Sequence, residues 1–115
     1  MHELSVAAAL VHTLVVYQRE HKVRVTAAHV KAGPLSGIDP EALRFAWEPA
    51  LAGEPGLEGC VLVLEKSRLR HRCRACGLEM ELEDWSLTCP RCGKEELRRE
   101  GGNEFVLESI EVEDV

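Results

Sequence analysis

The sequence predicts an α+β fold: a small three-stranded mixed sheet with two helices on one face, plus an inserted four-cysteine zinc-ribbon module. Three observations predict it. Apolar residues recur at helical spacing over residues 3–20 and 39–51. Three segments, 22–31, 59–66 and 104–112, read as strands. Residues 67–100, between the second and third strands, lose apolar content and gain Arg and Cys.

The first helix places Leu4, Ala8, Val11 and Val15 on one face at steps of four, three and four, widened by Ala7, Leu10 and Leu14. Its apolar face is expected to pack in the core. Glu3 stands in the first turn, where a carboxylate suits the positive helix end. Gln18, Arg19 and Glu20 close the helix. After the first strand, Gly33, Pro34 and Gly37 break the chain. Asp39 then caps the second helix, with Pro40 at its first position. Leu43, Ala46, Trp47 and Ala50 form that helix's apolar stripe, and Gly53, Pro55 and Gly56 end it. The second strand, Gly59 to Lys66, carries an apolar run suited to burial on both faces. A strand-helix-strand run favours parallel neighbours with a right-handed crossover, and the last strand should return antiparallel. Residues 1–66 and 101–115 are thus expected to form one α/β domain, with 67–100 as a separate module.

Length and composition narrow the function classes. At 115 residues the chain suits one domain with a small appendage. The net charge is -6, and binding one Zn²⁺ with four thiolates would take it to -8. Such an acidic chain is a poor general ligand for nucleic acid, whose phosphates need a basic surface. No basic, apolar leader opens the sequence, and the apolar run from Val6 stops at His12 and Thr13. A cytoplasmic protein with no membrane contact is expected. In that compartment paired cysteines favour metal over disulfide.

The cysteine pattern is the strongest signal. Cys73-Arg-Ala-Cys76-Gly and Cys89-Pro-Arg-Cys92-Gly are separated by twelve residues. A two-residue gap lets each pair direct both sulfurs at one ion, and four thiolates can surround Zn²⁺ tetrahedrally. Gly77 and Gly93 tolerate the left-handed turn that aims backbone N–H groups at the sulfurs. With all four positions filled by protein, the metal is structural. Cys-Pro-x-Cys-Gly also occurs in rubredoxin-like iron sites. Those carry more aromatic packing, whereas only Trp85 lies between the pairs here, so zinc is expected.

Residues around the module have plain readings. Trp85 and Leu87 are expected to cap it, and His71 to be solvated. Lys66, Arg68, Arg70, Arg72 and Arg74 are expected to offset the negative tetrathiolate centre, with contact to an acidic partner or nucleic acid as the sharper reading. Cys60 is expected to be an inert core thiol. His12, His21 and His29 have no spacing partners and should be solvated or packed. No Ser-His-Asp order, phosphate loop or open metal site suggests an enzyme. A zinc-ribbon nucleic-acid or transcription accessory is the alternative class, supported by the module and its arginines.

The N-terminus offers a second ligand set. A bulky second residue resists removal of the initiator methionine, so Met1 should keep a free α-amine. The His2 amide nitrogen and imidazole can close chelates on the same ion, and planar nitrogen coordination suits Ni²⁺ and Cu²⁺. Glu3 could add its amide or its carboxylate. From residue types alone this signal is weak, because Glu3 could equally cap the helix.

The order of motifs adds to it. Met1-His2-Glu3-Leu4-Ser5 is followed by Gly37-Ile38-Asp39-Pro40-Glu41-Ala42-Leu43, Phe45-Ala46-Trp47-Glu48 and Glu58-Gly59. The two knuckles come next, then Phe105-Val106-Leu107-Glu108-Ser109-Ile110-Glu111-Val112. This order resembles the HypA/HybF family of hydrogenase nickel-incorporation proteins over essentially the whole chain. The resemblance implies a metallochaperone, not an enzyme. It implies transferable Ni(II) at Met1, His2 and Glu3, and structural Zn(II) at Cys73, Cys76, Cys89 and Cys92. A HypB-type nickel GTPase and the NiFe-hydrogenase large subunit are the implied partners, with urease a second client in some members. Cys60 departs mildly from the small residue expected there.

Overall fold

The computed structural model describes residues 3–115. Its elements run α1 (Glu3–His21), β1 (Val23–Ala32), α2 (Pro40–Leu51), β2 (Val61–Lys66), β3 (Leu69–Cys73), β4 (Glu79–Leu82), β5 (Leu97–Arg99) and β6 (Phe105–Asp114). The three expected strands become β1, β2 and β6, in the order β2-β1-β6. β1 pairs parallel with β2 and antiparallel with β6, as the sequence reading required. A bulge at Thr26 shifts the β1–β6 register between Val25 and Ala27.

The connection from α1 to β1 is tight because Lys22 takes a left-handed φ of 52°. Gln18 then accepts the Val25 N–H at 2.8 Å, which pins the helix end to the strand. Asp39 caps α2: its Oδ1 accepts from Glu41 N at 3.0 Å and from Ala42 N at 3.5 Å, and Pro40 follows at the first helical position.

Both helices cover one sheet face. Ala7, Leu10, Val11 and Leu14 of α1 and Leu43 and Trp47 of α2 meet Val25, Ala28 and Val30 of β1, with Leu57 and Cys60 completing the core. The buried face of α1 is rotated from the one expected. Leu4 is 61 % exposed and Ala8 faces solvent, while the flanking set Ala7, Leu10 and Leu14 lies at the centre. The helix is apolar nearly all round, so spacing alone does not choose its inner face. β2 also departs from expectation. It is an edge strand with helices on one side only, so Leu62 and Leu64 pack inward while Val61 is 55 % exposed.

The cysteine region has its own antiparallel sheet, β4-β3-β5, which the sequence reading did not resolve into strands. It joins the larger sheet where Ser67 N donates to Ala32 O at 3.0 Å and Gly33 N donates to Glu104 O at 2.7 Å.

Candidate metal centres

Two knuckles position the four cysteines. In the first, Gly77 N donates back to Cys73 O at 2.9 Å, and Cys73 N pairs with Leu78 O. In the second, Gly93 N donates to Cys89 O at 2.8 Å, and Cys89 N pairs with Lys94 O. Gly77 and Gly93 have φ of 77° and 75°, where a Cβ would be strained. The expected role of both glycines is realised.

The knuckles bring Cys73, Cys76, Cys89 and Cys92 together, with all four sulfurs within 4.8 Å of one another. Cys73 and Cys92 Sγ are 3.7 Å apart, and Cys76 and Cys89 Sγ are 3.6 Å apart. A disulfide needs about 2.05 Å, so these are not bonded pairs. Four sulfurs at ~2.3 Å from one ion form a tetrahedron with edges of about 3.8 Å, so the cluster fits zinc.

The electrostatics favour a cation. The Leu78 backbone N–H, aided by the Arg91 guanidinium, pulls the Cys76 thiol down to about 6. Backbone N–H groups of Cys92 and Arg91 lower Cys89. Cys92 moves the other way: the Lys94 N–H favours its thiolate, but desolvation and the neighbouring sulfurs push it up to about 11. Four sulfurs this close cannot all hold negative charge unless a cation sits among them.

Several side chains differ from expectation. His71 is buried, 2 % exposed, rather than solvated. Its Nδ1 lies 3.3 Å from Leu69 O, and its Nε2 accepts from Ser86 N at 3.4 Å. Alternation along β3 puts Leu69, His71 and Cys73 inward and Arg70 and Arg72 outward. That period-two pattern was available in the sequence. Leu97, Leu78, Met80 and Leu82 pack beside the cysteines, whereas Trp85 and Leu87 stay exposed and do not cap the module. Arg72 pairs with Glu79 and Glu100 instead of facing the sulfurs. The guanidinium beside the cluster belongs to Arg91, whose Nη2 donates to Cys76 O at 2.7 Å.

At the N-terminus, Met1 and His2 lie outside the described residues. Glu3 begins α1, and its Oε2 accepts from Asp39 N at 3.1 Å. Sequence reading assigned Asp39 only to capping and missed this link, which no spacing rule reveals. Among the other histidines, His21 stacks on Tyr17 at 3.9 Å and His29 meets Glu111 at 2.7 Å on the open sheet face. Cys60 is buried, and its carbonyl accepts from Trp47 Nε1 at 2.9 Å. Burial pushes its thiol up, consistent with an inert core residue.

Fold and site together define a small α+β protein whose four clustered cysteines could hold a metal ion. The family model described as "Hydrogenase/urease nickel incorporation, metallochaperone, hypA" matches residues 1–112. A hydrogenase maturation factor HypA from Chlorobium luteolum is 36% identical over 116 residues, covering 99% of this chain and 97% of the relative. One from Caldanaerobacter subterraneus is 39% identical over 115 residues, covering 98% of this chain and 100% of the relative. The chain belongs to this HypA family of nickel metallochaperones and hydrogenase maturation factors. The solution structure of the Ni metallochaperone HypA from Helicobacter pylori superposes with a TM-score of 0.68 at 20% identity, covering 100% of both chains, and so shares the fold.

Proposed function

We propose that this chain binds one Ni(II) at Met1, His2 and Glu3 and delivers it for maturation of NiFe-hydrogenase, while Cys73, Cys76, Cys89 and Cys92 hold a structural Zn(II). One observation carries the reading: the family match begins at residue 1 and runs through both knuckles, so it takes in both ligand sets. Chemistry supports the division. A saturated sulfur cage has no vacant position for exchange, whereas a chelate on the first residues can give up its ion by stepwise replacement.

Glu3 is well placed for such a chelate. The first N–H groups of a helix have no acceptor within it, so ligation through the Glu3 amide would break no helical hydrogen bond. Residues 1–66 and 101–115 would form the nickel-handling unit and 67–100 the zinc module. A HypB-type GTPase would act alongside and the hydrogenase large subunit would receive the ion, in the cytoplasm, with urease maturation factors as further partners in some members. Nucleic acid and membrane would have no part. Of the basic run on which the zinc-ribbon alternative rests, Arg72 is engaged with Glu79 and Glu100.

The test is a nickel titration of the zinc-loaded chain. Wild type should take up about one Ni(II), and His2→Ala or N-terminal acetylation should abolish it. Undiminished uptake by the acetylated chain would overturn the proposal.

A further inference from the structure

The two sheets share no core. The apolar cluster under the helices and the one around the cysteines have no residue in common, and the molecule is 55 Å long but only 26 Å across. Among the described residues, β3, β4 and β5 make no more than marginal contact with the helices and strands of the larger unit. Units joined by so little apolar surface are expected to move relative to each other unless something else holds them. The chain crosses between them twice, outward at Ser67 and Arg68 between β2 and β3, and back at residues 100–104 between β5 and β6.

Each crossing has a soft point. Going out, Ser67 N is bonded to Ala32 O of the larger unit at 3.0 Å and β3 begins at Leu69, so Arg68 alone lies between. Coming back, Glu100 N is bonded to Arg70 O of the module at 2.7 Å, and Gly102 O accepts from Leu35 N of the larger unit at 2.6 Å. The chain between those bonds is Gly101 and Gly102, with φ of 91° and 102°. Glycine takes such angles without steric cost, and hinges are a few loop residues that absorb changes in φ and ψ.

Glu104 spans both soft points. Its Oε2 accepts the Gly102 N–H at 2.7 Å, which fixes the peptide joining the two glycines, and its Oε1 accepts the Ser67 hydroxyl at 3.2 Å. The Glu104 backbone is anchored to the larger unit, because its carbonyl accepts from Gly33 N at 2.7 Å. From the module, the Arg70 guanidinium reaches over Gly101 and attracts the carboxylate. The Glu104 N–H, with the Gly102 N–H, the Ser67 hydroxyl and Arg70, holds this carboxyl below the usual range against partial desolvation. It is therefore ionised at neutral pH, where a carboxylate accepts hydrogen bonds most strongly.

We infer that Glu104 is a latch on a two-crossing hinge. With both oxygens engaged, the cysteine module is held in the pose seen here. With them released, the module swings as a rigid body about Arg68 and the Gly101-Gly102 pair. A carboxylate that only stabilised its own turn would need no more than the Gly102 bond, two residues back. The bond to Ser67, 37 positions away, ties the outgoing crossing to the returning one. The inference stands on the geometry of the joint and does not depend on the nickel reading above.

Residual dipolar couplings of the full zinc-loaded chain test the inference, because they report how each unit aligns. In wild type, the amides of the larger unit and of residues 69–99 should fit one common alignment. Glu104→Ala should leave the chemical shifts within each unit and the zinc content unchanged, but reduce the module's couplings at least about twofold relative to those of the larger unit. Glu104→Gln still offers an oxygen to Gly102 N, and its amide can donate to the Ser67 hydroxyl oxygen, so it should keep the wild-type alignment. Ser67→Ala cuts only the tie between the crossings and should fall between the two, and it decides the matter should Glu104→Ala fail to fold. A module aligned as in wild type in both Glu104→Ala and Ser67→Ala would overturn the inference, as would a wild-type module that already aligns independently. So would a Glu104→Gln module as loose as that of Glu104→Ala, because the two hydrogen bonds would then not be the latch.

Discussion

The carboxylate of Glu3 accepts the backbone N–H of Asp39 at 3.1 Å, tying the first turn of α1 to the cap of α2. This bond, with the Glu3 backbone N–H, holds the Glu3 carboxyl below the usual carboxylate range despite the nearby Asp39 charge. One oxygen is therefore committed to structure. The amide nitrogen of Glu3 is then the better candidate to complete the proposed nickel chelate. Glu3→Gln keeps an oxygen acceptor for Asp39 N, so it should bind nickel about as tightly as wild type. Glu3→Ala frees the helix ends from each other and should weaken nickel binding by roughly 10–100-fold, the usual cost of losing an orienting partner. Parallel calorimetric titrations decide it, and equal losses in both variants would assign the carboxylate itself as ligand.

The thiol shifts predict how the sulfur site responds to acid. Cys76 is lowered to about 6 by the Leu78 N–H and by Arg91, so at neutral pH it is already a thiolate before metal arrives. Zinc uptake near pH 7.5 should release fewer than four protons per ion, measured by calorimetry in buffers of differing ionisation enthalpy. The sign for acid release follows. Protons compete for a thiolate only as pH falls toward its own value, so depressed thiols retain metal to lower pH. Arg91→Ala removes a favourable cation, lets Cys76 rise, and should move metal loss to higher pH in a chelator-coupled titration. An unmoved curve would remove Arg91 from the site's electrostatics.

Much of this was legible in the chain because the signals were local. The Asp39-Pro40 cap, the three strands and the two Cys-x-x-Cys-Gly knuckles each follow from a few adjacent residues, and the structure realises all of them. What escaped depended on contacts between distant segments. α1 is apolar almost all round, so only the sheet and α2 could choose Leu10 and Leu14 over Leu4 as its inner face. β2 seemed buried on both sides because its apolar run says nothing of how many layers cover it. Arg91 and the Glu3–Asp39 bond arise from folding across 15 and 36 positions. His71 is the exception, since the Leu69-His71-Cys73 alternation pointed it inward from the start.

Removing the metal should separate the two parts of the molecule. Around the sulfurs the small sheet buries Cys73, Cys89 and Leu97, with Leu69 and His71 further along β3, too little apolar surface to replace a metal worth on the order of 10 kcal/mol. Cys89→Ser, or chelation of the wild type, should expose residues 67–100 to protease while α1 and α2 remain protected. Hydrogen exchange followed by peptide mapping reads both regions at once. Protection that persists across β3 to β5 without metal would show that the module folds by packing alone.

The core of the larger unit has its own sensitive point at Trp47, 4 % exposed, whose Nε1 donates to Cys60 O at 2.9 Å. Trp47→Phe keeps an aromatic ring but leaves that buried carbonyl without its donor, a loss of about 1–3 kcal/mol. Trp47→Ala adds a cavity and should cost about 3–5 kcal/mol. Denaturant unfolding of the zinc-loaded variants measures both. A Phe variant as stable as wild type would show that the hydrogen bond adds nothing beyond packing.

Gly33 tests the joint between the two sheets. A Cβ there would lie 2.5 Å from the Gly102 carbonyl carbon, closer than real contacts allow, and its neighbour is backbone that cannot rotate aside. Relief requires parting the 33–35 and 101–104 segments. That movement strains Gly33 N to Glu104 O at 2.7 Å and Leu35 N to Gly102 O at 2.6 Å, the bonds that seat the module against β1 and β6. Gly33→Ala should therefore destabilise the fold by about 1–3 kcal/mol and increase protease cutting near Ser67 and Gly101, with the four cysteines still loaded. Gly53→Ala provides the contrast. Gly53 has φ of 81° and open space around its missing Cβ, so that variant carries conformational strain of about 1 kcal/mol without overlap. If Gly33→Ala lowered stability no more than Gly53→Ala and left the cutting pattern unchanged, the joint would be looser than the close packing of Gly33 on Gly102 requires.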